Sequence, residues 1–134
     1  MKEKWIRLTI PGVKDNAYYI KTLLDDYDGL KITMWNGEKN EKLILIYFET
    51  VESYQYCDEH SKIDLWSELS KSYGKDFYAN YNFFKLENSN YIKWLNKSSY
   101  GITEDMGLQH YVLMDRDSII DIISYGEPEF KNLN

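Results

Sequence analysis

The sequence predicts an α+β domain: mainly an antiparallel sheet, with two helices (about 61–73 and 89–96) packed on one face. Three observations carry this. Segments at both ends of the chain alternate apolar and polar residues, as half-buried strands do. A middle segment repeats its apolar residues at helical spacing and is followed by a stop signal. The two prolines, Pro11 and Pro128, stand near the ends, so the 134 residues read as one globular domain, 1–134.

Taken in order, residues 5–10 alternate, with Ile6, Leu8 and Ile10 in one phase and Trp5, Arg7 and Thr9 in the other. Pro11-Gly12 ends the segment as a turn. Residues 16–27 fit two patterns. Ala17, Ile20, Leu23, Leu24 and Tyr27 make a helical stripe behind an Asp15 or Asn16 cap, but Asp28-Gly29 reads as a hairpin turn. A strand is the reading adopted. Residues 30–35 alternate again and lead into Asn36-Gly37, a hairpin signal. Residues 43–48 are apolar at every position, which predicts a central strand covered on both faces. Residues 51–57 extend it in a tyrosine-rich piece.

Residues 61–73 carry Ile63, Trp66, Leu69 and Tyr73 on one stripe. Ser61 with Asp64 resembles a capping box, and Gly74 is placed to end the helix. Residues 83–86 are a short extended piece. A second helix over 89–96, capped by Asn88 or Ser89, turns Tyr91, Ile92 and Leu95 inward. After a loop over 98–107, residues 108–114 and 118–123 form a hairpin about Asp115-Arg116-Asp117.

Composition narrows the function. The net charge is −6 and the sequence pI about 4.9, which argues against general binding to a phosphate backbone. Cys57 is the one cysteine, so no intramolecular disulfide framework exists. The longest apolar run, 43–48, is too short to span a bilayer, and Met1-Lys2-Glu3-Lys4-Trp5 leads into no signal-peptide core. A cytoplasmic protein with no nucleic-acid or membrane partner is expected. The 13 Tyr, 5 Phe and 4 Trp suit a folded core or an interface rather than a disordered chain. Trp5 and Trp35 fall on the polar phase of their strands, so each is either covered by another layer or part of an exposed patch.

Few residues suggest chemistry. Cys57-Asp58-Glu59-His60 is the densest run of metal-ligand types, but zinc sites commonly use four ligands in two spaced pairs. It reads better as a strand end with acids at a helix entry. Cys57 with His110 lacks any marked orienting group or oxyanion site. His110 shares a strand phase with Leu108, Val112 and Met114, the place of a hydrogen-bonded core histidine. The carboxylate pairs Asp25/Asp26, Glu49/Glu52 and Asp115/Asp117 follow from a high acid content. No glycine-rich phosphate loop exists, and Arg7 and Arg116 are the two arginines. No catalytic residue, metal ligand or cofactor is assigned.

Charge asymmetry is the most informative feature. Residues 101–134 hold 2 basic and 7 acidic residues, net −5 of the total −6. The expected function is therefore a non-catalytic module that binds a basic protein through Asp115, Asp117, Asp121, Glu127 and Glu129, with Tyr125 beside them. Two other functions fit the residues. One is a small-ligand site or small enzyme with a pocket among Tyr54, Glu59 and His110; the other is self-association through a tryptophan face.

Glu87-Asn88-Ser89 with Tyr91 and Trp94-Leu95, Leu108 with His110-Tyr111, residues 117–124 and Glu127-Pro128 resemble a group of small, uncharacterised bacterial proteins. Ser53-Tyr54 and Asp58-Glu59 fit the same resemblance, which covers about the last 80 residues. It implies an immunity-type role, in which a small acidic protein binds and blocks a cognate toxin. Gln55 stands where the resemblance leads one to expect a basic residue near Tyr54.

Overall fold

Residues 30–35 alternate and 43–48 are apolar throughout, so two neighbouring strands share an apolar side, and that face must be covered. The computed structural model, which describes residues 2–13 and 18–134, covers it with a second sheet. The elements are β1 (Lys4–Leu8), β2 (Tyr19–Asp26), β3 (Gly29–Trp35), β4 (Leu43–Phe48), β5 (Val51–Asp58), a 3₁₀ turn (Glu59–Lys62), α1 (Ile63–Tyr73), β6 (Phe83–Glu87), α2 (Asn90–Ser98), β7 (Gln109–Met114), β8 (Ser118–Ser124) and β9 (Glu129–Asn132). The α+β class and the antiparallel pairing are as expected, but the strands divide into two sheets. One has the order β1-β6-β7-β8-β5, the other β2-β3-β4-β9.

Between the sheets lie Ile32, Met34, Ile44, Ile46 and Phe48 from one side and Phe83, Tyr111, Leu113, Ile120 and Ile122 from the other. A second cluster uses the opposite phase of the five-stranded sheet. There Trp5, Phe84, Leu86, Val112, Met114 and Ile119 pack with Leu69 and Phe77, and Leu65 and Trp66 of α1 lie against them. β7 is therefore almost wholly buried and β8 buried at every position. The doubly covered strands are these two rather than 43–48. In β4, Ile44, Ile46 and Phe48 are buried, while Leu43, Leu45 and Tyr47 face outward half-buried, because a strand at the outer layer seals one phase only.

The ambiguous segment is a strand where it is described, over Tyr19–Asp26; Asp15, Asn16 and Ala17 lie outside the described residues. β9 was not legible in the sequence. It pairs with β4, with Ile46 opposite Phe130, and completes the four-stranded sheet. The predicted Ser61–Asp64 box does not form. The 3₁₀ turn takes Ser61 and Lys62 and α1 begins at Ile63, Asp64 accepts from the Leu65 N–H, and neither helical start has a side-chain cap. On α1, Leu69 is buried, whereas Ile63 is 65% exposed, so the apolar stripe runs through Leu65 instead. The helix ends at Gly74 (φ +97°), whose N–H bonds the Ser70 carbonyl. α2 starts as expected, the Ser89 hydroxyl accepting the Ile92 N–H at 3.1 Å.

The two tryptophans on polar phases part company. Trp5 is buried edge-on against Phe84, and its backbone N–H donates to the Tyr73 hydroxyl. Trp35, in the other sheet, is half-buried beside Tyr19; its indole N–H is buried with no acceptor among the described residues. They form no common face.

Gly29 is the glycine the fold needs most. It sits at φ +127°, and an added Cβ would fall 2.5 Å from the Phe48 carbonyl oxygen. Gly29→Ala is expected to cost about 2 kcal/mol or more. Gly126→Ala, with nothing within 4 Å of the new carbon, should stay within about 0.5 kcal/mol. Chemical denaturation of the two variants checks the contrast.

Candidate functional site

The strand registers carry most of the exposed acid to one end of the sandwich. Asp26 lies opposite Gly29 across the β2–β3 turn, so Asp25, Asp26 and Asp28 project there, beside a fully exposed Tyr27. Leu30 lies opposite Phe48, which adds Glu49 and the start of β5 with Glu52. Val51 and Gln109 both face Ser124, which adds Tyr125, Glu127 and Glu129 together with the loop carrying Glu104, Asp105 and Met106. All nine carboxylates are exposed.

Contacts confirm the convergence. The Tyr125 N–H donates to the Thr50 carbonyl at 3.1 Å, and its hydroxyl donates to the Glu52 carboxylate and lies 3.6 Å from the Met106 sulfur. Tyr47 donates to the Asp28 carbonyl. Lys31 is paired with Asp26 at 3.2 Å, which holds that carboxyl below its usual range. The neighbouring tyrosines shift the other way. Burial and then Asp25 raise Tyr54, burial and then Glu127 raise Tyr111, and the bond to Glu52 followed by burial raises Tyr125.

Of the residues expected to bind a partner, Tyr125, Glu127 and Glu129 belong to this pole. Asp115 and Asp117 do not: they form the β7–β8 turn, at the far end of β8, about 20 Å away at the usual strand rise. Asp115 is structural. One carboxylate oxygen accepts from the Asp117 and Ser118 N–H groups and the Ser118 hydroxyl; the other accepts from the Ile20 N–H at 2.8 Å. Asp121 is 7% exposed, in the middle of β8. The carboxylates missed in the sequence, Asp25, Asp26, Asp28, Glu49 and Glu52, come from strand ends and turns far from the last quarter of the chain; their pairing in sequence was the one local signal.

His110 is buried as expected, and its partners are now explicit. Nε2 lies 2.7 Å from Asp121 Oδ1, and Nδ1 lies 2.6 Å from the Ser89 hydroxyl. A carboxylate only accepts, so Nε2–H donates to Asp121, and in the neutral ring Nδ1 accepts the Ser89 proton. Lys62 Nζ stands 3.8 Å from the second Asp121 oxygen. The ring of Tyr91 meets that of His110 edge-on. A groove of about 620 Å³ opens over this pair, walled by Trp5, Leu65, Tyr91 and Trp94. Asp121 gave a readable signal: a carboxylate inside the run Ile119-Ile120-Asp121-Ile122-Ile123 must find a buried partner.

The expected pocket trio is not assembled. Tyr54 borders the same groove as His110, but its side chain packs against the inter-sheet core; Glu59 borders another hollow, of about 630 Å³, with Trp66, Tyr78 and Arg116. Cys57 pairs with Ile119 and His110 with Ile123, about 13 Å apart along the strands, so no thiol–imidazole pair forms. Asp58, Glu59 and His60 do come together where β5 meets the 3₁₀ turn, their ligand atoms within 4.8 Å of one another, without Cys57.

No family model, curated protein or solved structure matches the chain. Among the described residues, no helix is long and apolar enough to cross a membrane.

The raised tyrosines fix the sign of a pH effect. Above the ordinary tyrosine range, near pH 10, the unfolded chain gives up phenolic protons that the folded one keeps, so stability is present below that range and lost as pH rises through it. Denaturation midpoints should fall as pH climbs above about 10, and Tyr111→Phe should flatten that fall.

Proposed function

We propose that the protein docks a basic protein partner on its acidic pole, and that the pole itself acts by binding and not by chemistry. The observation that carries this is the convergence of nine exposed carboxylates from separate strand ends and turns, with Tyr27, Met106 and Tyr125 exposed among them. Like charges held together repel and destabilise the fold slightly, while steering a positive partner and raising its rate of encounter. The tyrosines supply rigid amphipathic contact area within that field.

The role fits an immunity-type protein acting in a bacterial cytoplasm: the pole occupies the basic groove of a toxin, its carboxylates standing in for a negatively charged substrate. In this proposal α1 and α2 both flank the side of the five-stranded sheet away from the second sheet, leaving the pole free for the partner.

Tagged protein incubated in native cytosol at low and high salt should retain a basic partner that salt releases. With that partner purified, Glu49→Lys combined with Glu129→Lys should slow association about tenfold at low salt, and Asp117→Lys at the far end should change it little. Equal effects at the two ends, or association indifferent to salt, would remove the pole from the mechanism.

A further inference from the structure

We propose that Ser89 is a nucleophile, activated by His110 and Asp121, that takes an acyl group from an activated ester. The site uses none of the pole carboxylates, so it stands or falls separately from the docking role.

The hydroxyl, ring and carboxylate form one hydrogen-bonded chain, with separations of 2.6 and 2.7 Å. Protons are ordered along it as in a serine–histidine–aspartate relay: the hydroxyl donates to the ring, and the ring donates to the carboxylate. The ring nitrogens are exchanged relative to the chymotrypsin arrangement, which leaves the acid–base logic intact. Asp121 fixes the tautomer and stabilises the imidazolium formed when Nδ1 takes the serine proton.

Local chain geometry presents Ser89 for this. Strand β6 ends at Glu87, Asn88 turns the chain at φ +56°, and Ser89 heads α2. The Ile92 N–H already donates to the Ser89 oxygen, so negative charge developing there meets a donor and the positive end of a helix. The next N–H, that of Asn90, holds a carboxylate oxygen of Glu3 at 2.9 Å. An anionic oxygen thus sits beside Ser89 where an acyl oxygen needs a donor, and Glu3 must withdraw for a substrate to take its place. Ser89 is 4% exposed, and it borders an open hollow of about 400 Å³ with Leu86, Ile92 and Leu108 on one side and the polar side chains of Lys85, Glu87, Lys93 and Gln109 on the other, so a short acyl chain would lie against the apolar side.

The chemistry balances with water alone. The Ser89 oxygen bonds the ester carbonyl carbon while its proton passes to His110 Nδ1. The bond to the leaving alkoxide breaks, and the alkoxide takes that proton. Water then adds to the acyl carbon, giving its proton to Nδ1; the carboxylic acid departs as Ser89 recovers the proton.

The test is incubation of the whole wild-type chain with a fluorophosphonate probe, followed by peptide mapping by mass spectrometry. The serine oxygen–phosphorus bond forms and fluoride leaves. One adduct per chain on Ser89 is expected. Glu3→Ala, which frees the Asn90 N–H, should label faster, and Asp121→Asn should label at least about tenfold more slowly. Circular dichroism checks that each variant is folded; should Asp121→Asn not fold, the wild-type map and Glu3→Ala decide. No adduct, an adduct on another residue, or labelling indifferent to Glu3 would overturn the proposal and leave Ser89 as the cap of α2.

Discussion

β8 is buried on both faces, and much of the molecule follows from that. Its Ile120 and Ile122 phase belongs to the core between the sheets, and Ile119, on the other phase, belongs to the cluster with α1. A strand so placed leaves no room for an uncompensated charge, yet it carries Asp121. An ionised carboxylate left unpaired there would cost several kcal/mol, so a partner must be built in. His110, on the adjacent strand, is that partner, and its second nitrogen is satisfied by the hydroxyl that caps α2. One buried charge thereby ties the start of a helix to β7, the central strand of the five-stranded sheet, and to its neighbour β8.

The same architecture sorts the remaining charge. In an antiparallel sandwich the strands are apolar and the turns gather at two ends, so acidic turn residues distant in sequence become neighbours. At one end the result is a field of carboxylates crossed by Lys31 and edged by tyrosines. At the other, Asp115 spends both oxygens on backbone and hydroxyl donors, including one from β2 in the second sheet. Two acids that look alike in sequence therefore differ in kind: Glu129 is free to act on something outside the molecule, and Asp115 holds the molecule together. A small protein can carry a repulsive acidic pole because its core, sealed by two sheets and a helix, does not rely on surface charge for stability.

Local patterns were readable because their causes are local. The alternation in 30–35, the Asn36-Gly37 turn, the Ser89 cap and the Gly74 stop each depend on residues within a few positions, and each appears in the structure. His110 was legible as a satisfied core residue from its strand phase alone. Errors arose where burial depended on the layer opposite. An all-apolar 43–48 suggested two covered faces, but whether the outer phase is sealed depends on a third layer that β4 does not have. The Ser61–Asp64 pattern was overruled by a 3₁₀ turn that lets α1 bring Leu65 and Leu69 to the sheet.

The sequence by itself determined the class, most of the strands, both helices and the acidic character of the chain, since propensity, periodicity and charge count do not depend on long-range pairing. Only the tertiary structure decided that the strands form two sheets, that β9 closes the second, and that Asp121 lies inside while Asp25 and Glu49 join Glu129 outside. The reason is register: pairings such as Val51 with Ser124 and Ile46 with Phe130 join residues more than seventy positions apart, and no pattern local to either strand specifies its partner.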